Sequence, residues 1–81
     1  MKVTAVLLGM HRAYLPPGAA EDGRVTLDLP AGRVTPATVA AALGMPPDAA
    51  RVVFRDGEAI ATDHRLGDGD TVTFLWPIGG G

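Results

Sequence analysis

The residue types that could do chemistry in this chain are few, and the missing ones decide more than those present. The 81 residues contain no Cys, Ser, Asn or Gln. A Ser or Cys nucleophile, a disulfide framework and a Cys-based zinc or iron–sulfur site are therefore excluded. His11 and His64 are the only imidazoles. His64 follows Asp63, a pairing that can signal a general base, but there is no Ser or Cys for it to activate, so the stretch reads as a solvated turn. His11, beside Arg12 in the first loop, reads as a surface or partner-contact residue. Two histidines without a third ligand make a poor metal site, so no metal is expected. Asp68-Gly69-Asp70 resembles the opening of a calcium loop, yet the bidentate Glu required at the twelfth position is replaced by Gly79. A tight turn before the last strand is the better reading.

No Gly-x-x-x-x-Gly-Lys phosphate loop occurs, and the only glycine cluster lies at the end of the chain with no helix after it. Seven Lys and Arg against nine Asp and Glu give a net charge of −2. The seven basic residues are scattered from Lys2 to Arg65. That pattern argues against nucleic-acid binding, and Tyr14 and Trp76 are too far apart to form a stacking platform. No run approaches the roughly 18 apolar residues of a membrane span, and the start of the chain makes a poor signal peptide. A cytoplasmic setting is expected.

What remains is the stretch Pro77-Ile78-Gly79-Gly80-Gly81. One reading is a frayed end. The other notes that glycine, lacking Cβ, makes a thread thin enough for a narrow channel. Pro77 stiffens its exit. Five extended residues reach up to about 17 Å, enough to enter a partner's active site. The reactive group would be the Gly81 carboxylate, which is anionic at neutral pH and a poor electrophile until it is activated.

The elements that must hold such a tail can be read from periodicity. Residues 3–8 are apolar except Thr4, a pattern that fits a strand buried on both faces and, by pattern alone, also a short buried helix. Residues 10–23 form a long loop with one helical turn near 10–14. Over residues 24–29, Val25, Leu27 and Leu29 alternate with Arg24, Thr26 and Asp28, the pattern of a half-buried strand. Thr35 is a fit N-cap with Pro36 at the first helical position, and Gly44 supplies the stop. Residues 51–55 read as a strand with Val52 and Phe54 on one face. Asp56-Gly57 is a hairpin turn, residues 58–61 a short return strand, and residues 71–76 the last strand. The class is α+β, a mixed sheet of four to five strands with one main helix across it. The domain spans 1–76 and the flexible tail 77–81.

These pieces, in this order, resemble the MoaD/ThiS-type sulfur carriers, ubiquitin-like proteins of the β-grasp fold. The likeness is carried by the first apolar strand running into Arg12-Ala13-Tyr14-Leu15-Pro16, by Leu27-Asp28-Leu29-Pro30, and by residues 39–43. It continues through Asp56-Gly57-Glu58, Leu66-Gly67-Asp68-Gly69-Asp70, and Phe74-Leu75-Trp76-Pro77-Ile78-Gly79-Gly80-Gly81. Such members commonly have a Pro-Pro stretch before the terminal glycines, where this chain has Trp76-Pro77.

The resemblance implies a non-enzymatic carrier that binds no cofactor itself. An E1-like adenylyltransferase would activate Gly81 with ATP, a sulfur donor would convert it to a thiocarboxylate, and an accepting enzyme would take the sulfur. Molybdopterin synthase's large subunit or thiazole synthase would be such an acceptor. Gly80 would accompany Gly81 in the reacting end, while Leu8, Leu75, Trp76, Pro77, Ile78 and Gly79 would meet the partners. Two alternatives stand beside this: a protein modifier conjugated through Gly81, and an interaction module with an inert tail.

Overall fold

The computed structural model describes residues 1–19 and 21–75. Five strands form one mixed sheet: β1 (Lys2–Leu7), β2 (Arg24–Asp28), β3 (Val52–Arg55), β4 (Glu58–Ile60) and β5 (Thr71–Leu75), in the order β2-β1-β5-β3-β4. Its two central strands, β1 and β5, run parallel, with Thr4 beside Thr71 and Leu7 beside Phe74. The outer pairings are antiparallel. One helix, α1 (Pro36–Ala42), makes the crossover from β2 to β3. This is the β-grasp, ubiquitin-like architecture.

Alternation in β1 and β5 defines the two faces. Val3, Ala5 and Leu7 of β1 and Val72 and Phe74 of β5 are fully buried, and join Val53 of β3 and Val39 and Ala40 of α1 in one core. Residues of opposite parity lie on the other face, where Thr4, Thr71, Thr73 and Leu75 are half-buried. On β3 it is Val53 that enters the core. Val52 and Phe54 share the opposite face and are only half-buried. The first strand ends one residue earlier than its apolar run suggests, because Leu8 is already the extended residue leading into a 3₁₀ helix, Gly9–Tyr14.

Local chemistry fixes the connections. The Thr35 hydroxyl accepts from the Thr38 N–H while the Thr38 hydroxyl accepts from the Thr35 N–H, both at 3.3 Å. This reciprocal cap satisfies two groups that a helix N-terminus otherwise leaves open. Asp56 (φ 53°) and Gly57 (φ 80°) both occupy the left-handed region, as the two-residue turn between β3 and β4 requires. Asp68-Gly69-Asp70 forms a turn tied to the first strand: Asp68 accepts from the Lys2 N–H at 2.7 Å, and the Gly69 N–H donates to the Lys2 carbonyl at 2.7 Å. Asp70 accepts from the Gly67 N–H at 2.7 Å and pairs with Arg55 at 3.4 Å. Its two carboxylates therefore hold backbone, which is what starts β5 in register beside β1. Among the described residues no helix is long and apolar enough to cross a membrane.

Candidate functional site: the end of the sheet where the chain leaves β5

Because β1 and β5 are parallel neighbours, they finish at the same end of the sheet. Leu7 lies beside Phe74, and Leu8 therefore follows at the level of Leu75. Leu75 in turn pairs with Val52 at the start of β3. The last described residue thus stands between two strands, anchored by the fully buried Phe74 behind it. Any segment beyond Leu75 is launched from the rigid centre of the sheet.

The surface around that exit is apolar. Leu8 is 42% exposed and Met10 63%, and these are the two large hydrophobic residues exposed among those described. The half-buried Val52, Phe54 and Leu75 extend the apolar character across the sheet face turned away from the helix, with the half-buried Thr73 among them and Val6 buried on that face. Single exposed apolar residues are ordinary, but a contiguous set around a chain exit suits a protein partner. Of the residues expected to meet a partner, Leu8 and Leu75 are brought to one end of one face. Trp76, Pro77, Ile78 and Gly79, together with the reacting Gly80 and Gly81, lie outside the described residues.

His11 differs from its sequence reading. It is not a surface residue: its ring is fully buried, its centroid 6.5 Å from that of Phe74, and Nε2 bonds the Ala49 carbonyl. The imidazole ties the 3₁₀ helix after β1 to a second 3₁₀ turn, Pro47–Ala50. Its role is to brace the backbone beside the exit. Burial of a polar ring depends on a partner carbonyl 38 residues away, and no local pattern in the sequence announces that partner.

Gly23 braces the same end from the other side. At φ 84° its carbonyl accepts from the Leu7 N–H at 2.8 Å, and a Cβ there would lie 2.3 Å from the Leu7 oxygen. Arg12 spans the loop by donating to the Glu21 carbonyl at 2.7 Å. His64, Asp63 and Arg65 are exposed, in the connection between β4 and β5. Among the described residues no group of three His, Asp or Glu side chains could hold a metal ion.

No protein-family model matches the sequence, and no curated protein matches it. A solved structure does match in three dimensions: SAMP1 from Haloferax volcanii, with a TM-score of 0.66, 23% identity and full coverage of both chains. At that identity the likeness establishes the fold.

Proposed function

We propose that this chain is a sulfur carrier whose reacting group is the carboxylate of Gly81. The observation that carries this reading is the order of parts at the end of β5: a central, core-anchored strand followed by Trp76-Pro77-Ile78-Gly79-Gly80-Gly81. The shared fold with SAMP1 supports a ubiquitin-like carrier or modifier frame. The MoaD/ThiS resemblance in the sequence supports sulfur transfer, with molybdopterin synthesis the first expectation and thiamine or another sulfur-containing metabolite next.

The steps follow from the chemistry of a carboxylate. Its oxygen attacks the α-phosphate of ATP in the active site of an E1-like adenylyltransferase, and pyrophosphate leaves. A sulfide-level donor then attacks the acyl carbon, AMP departs, and a C–S bond replaces one C–O bond. The thiocarboxylate enters the accepting enzyme, where its sulfur bonds to the acceptor and water then attacks the acyl carbon, breaking the C–S bond, leaving the sulfur on the acceptor and returning Gly81 to the carboxylate. The chain itself supplies recognition and delivery, turns nothing over alone, and needs no bound cofactor. Dependence on ATP and on these partners fits the cytoplasm.

Leu8 and Leu75 would seat against the partner while residues 77–81 enter its channel. A protein modifier would start from the same adenylate and differ only in the group that captures it, a lysine amine in place of sulfide. Removing Gly80 and Gly81 tests both against an inert tail. Loss of ATP-dependent modification in host extract, with unfolding unchanged, is the result expected of a working tail. Function that survives the deletion would make the domain a plain interaction module.

A further inference from the structure

β2 stands first in the strand order, so no strand of the chain pairs with its far side. Met1 and Leu29 exchange two bonds across the β1–β2 pair, at 2.9 and 2.7 Å. Residues of an antiparallel pair alternate between exchanging such bonds and turning away. Val25 and Leu27 therefore bond β1, while Arg24, Thr26 and Asp28 turn their N–H and carbonyl groups outward. Among the described residues only the Arg24 N–H is met there, by the Asp22 carboxylate at 3.1 Å. Short length, proline and bulges are the usual guards of a sheet edge. The opposite edge, β4, has three residues, whereas β2 has five, without proline and in unbroken register.

We infer that this edge pairs with β2 of a second copy of the chain, antiparallel and centred on Thr26. The charges select that register. A two-fold axis there sets Arg24 of each copy opposite Asp28 of the other, with Thr26 meeting its own counterpart. Opposite charges directly across a strand pair stabilise it, and like charges destabilise it. Val25 would face Leu27, covering two half-buried side chains that already pack on the core. Shifting the axis by one residue fails in either direction. Centred on Val25, it sets Asp28 against Asp22; centred on Leu27, it sets Arg24 against Pro30, which has no N–H to give. Arg24 and Asp28 are both exposed, and their present ion pairs are loose: Asp22 lies 3.4 Å from Arg24, and the Met1 amino group 3.7 Å from Asp28.

The product is a continuous ten-stranded sheet, five strands from each copy. β1 separates β2 from β5, and the two β5 strands run in opposite directions, so both chain exits lie outside the contact, at opposite ends of the sheet. Five residues of strand span about 17 Å. A contact of that size belongs with interfaces under roughly 1,200 Å², which are weak and concentration-dependent.

Sedimentation equilibrium of the intact chain, from micromolar to millimolar concentration, should show a monomer–dimer equilibrium that weakens as salt is raised. Amide exchange at Thr26 and Asp28 should slow over the same range. Asp28→Arg and Arg24→Asp each place like charges at both crossings, and each should weaken dimerisation several-fold with the unfolding midpoint retained. Mixed in equal amounts the two variants are complementary, and should associate as the unaltered chain does. Thr26→Pro removes the central N–H at an edge position where proline is tolerated, and gives the same test should a reversal fail to fold. A monomer throughout the range would overturn the inference, even where the edge takes up a strand of another protein. So would dimerisation that no variant weakens, as through the exposed Leu8 and Met10, or a mixture that stays as monomeric as its parts. None of these outcomes touches the adenylation of Gly81, which is read by mass.

Discussion

Two single positions carry the geometry of the chain exit, and each fails differently when changed. Gly23 must be glycine because its φ of 84° is strained for any L residue and a Cβ would strike the Leu7 oxygen at 2.3 Å. Gly23→Ala should lower stability by about 1–3 kcal/mol, measured by urea unfolding, with the loss concentrated in the β1–β2 connection. His11 is buried to satisfy the Ala49 carbonyl, so His11→Phe should cost about 1–3 kcal/mol by leaving that acceptor bare. Leu8 is the contrasting case. Its side chain is exposed, so Leu8→Asp should leave the unfolding midpoint nearly unchanged while weakening partner association about tenfold or more, as loss of a hot-spot residue does. Surface plasmon resonance against the activating enzyme, paired with the unfolding curve, checks both halves. Strong destabilisation by Leu8→Asp would instead place it in the core.

At the scale of elements, the parts legible in the sequence are those whose cause is local. Thr35-Pro36 announces the start of α1, because cap and N1 chemistry act within four residues, and the structure adds only that Thr38 completes the box. Thr35→Ala should therefore cost about 1 kcal/mol, visible as a lower midpoint in thermal unfolding. Asp56-Gly57 likewise specifies its turn, since both φ angles are positive. The alternation of Val25 and Leu27 with Arg24, Thr26 and Asp28 is met by β2 at one edge of the sheet. Elements with distant causes were less legible. On β3, three successive residues are apolar or aromatic, and only the pairing of Val53 with Phe74 shows which face is core. The apolar run of residues 3–8 hides the end of β1, because the turn at Leu8 is held by His11 and by Gly23 beyond it in the chain. Leu75 could be assigned to the outer face from parity with Val72 and Phe74, and that assignment holds. His11 could not be read, because its partner carbonyl lies across the molecule.

Across the whole molecule, the proposed division of labour is between the frame of the sheet and a short reacting end. The two parallel central strands carry Phe74 and Leu7 in the core and bring the chain out between Leu8 and Val52. Deleting Gly80 and Gly81 should therefore leave the unfolding curve within about 0.5 kcal/mol of the intact chain while removing every ATP-dependent modification. The fold is shared with SAMP1 over the full length of both chains, and frames of this kind host more than one chemistry, so the reaction must be read at the terminus itself. The most direct measurement is the intact mass of the protein after incubation with ATP, sulfide and extract of its native host, with the C-terminal peptide sequenced by fragmentation. The sulfur-carrier account predicts a species heavier by one sulfur-for-oxygen exchange, located on Gly81 and lost when ATP is withheld. An unmodified carboxylate under all conditions, or an isopeptide-linked conjugate in place of the thiocarboxylate, would contradict it.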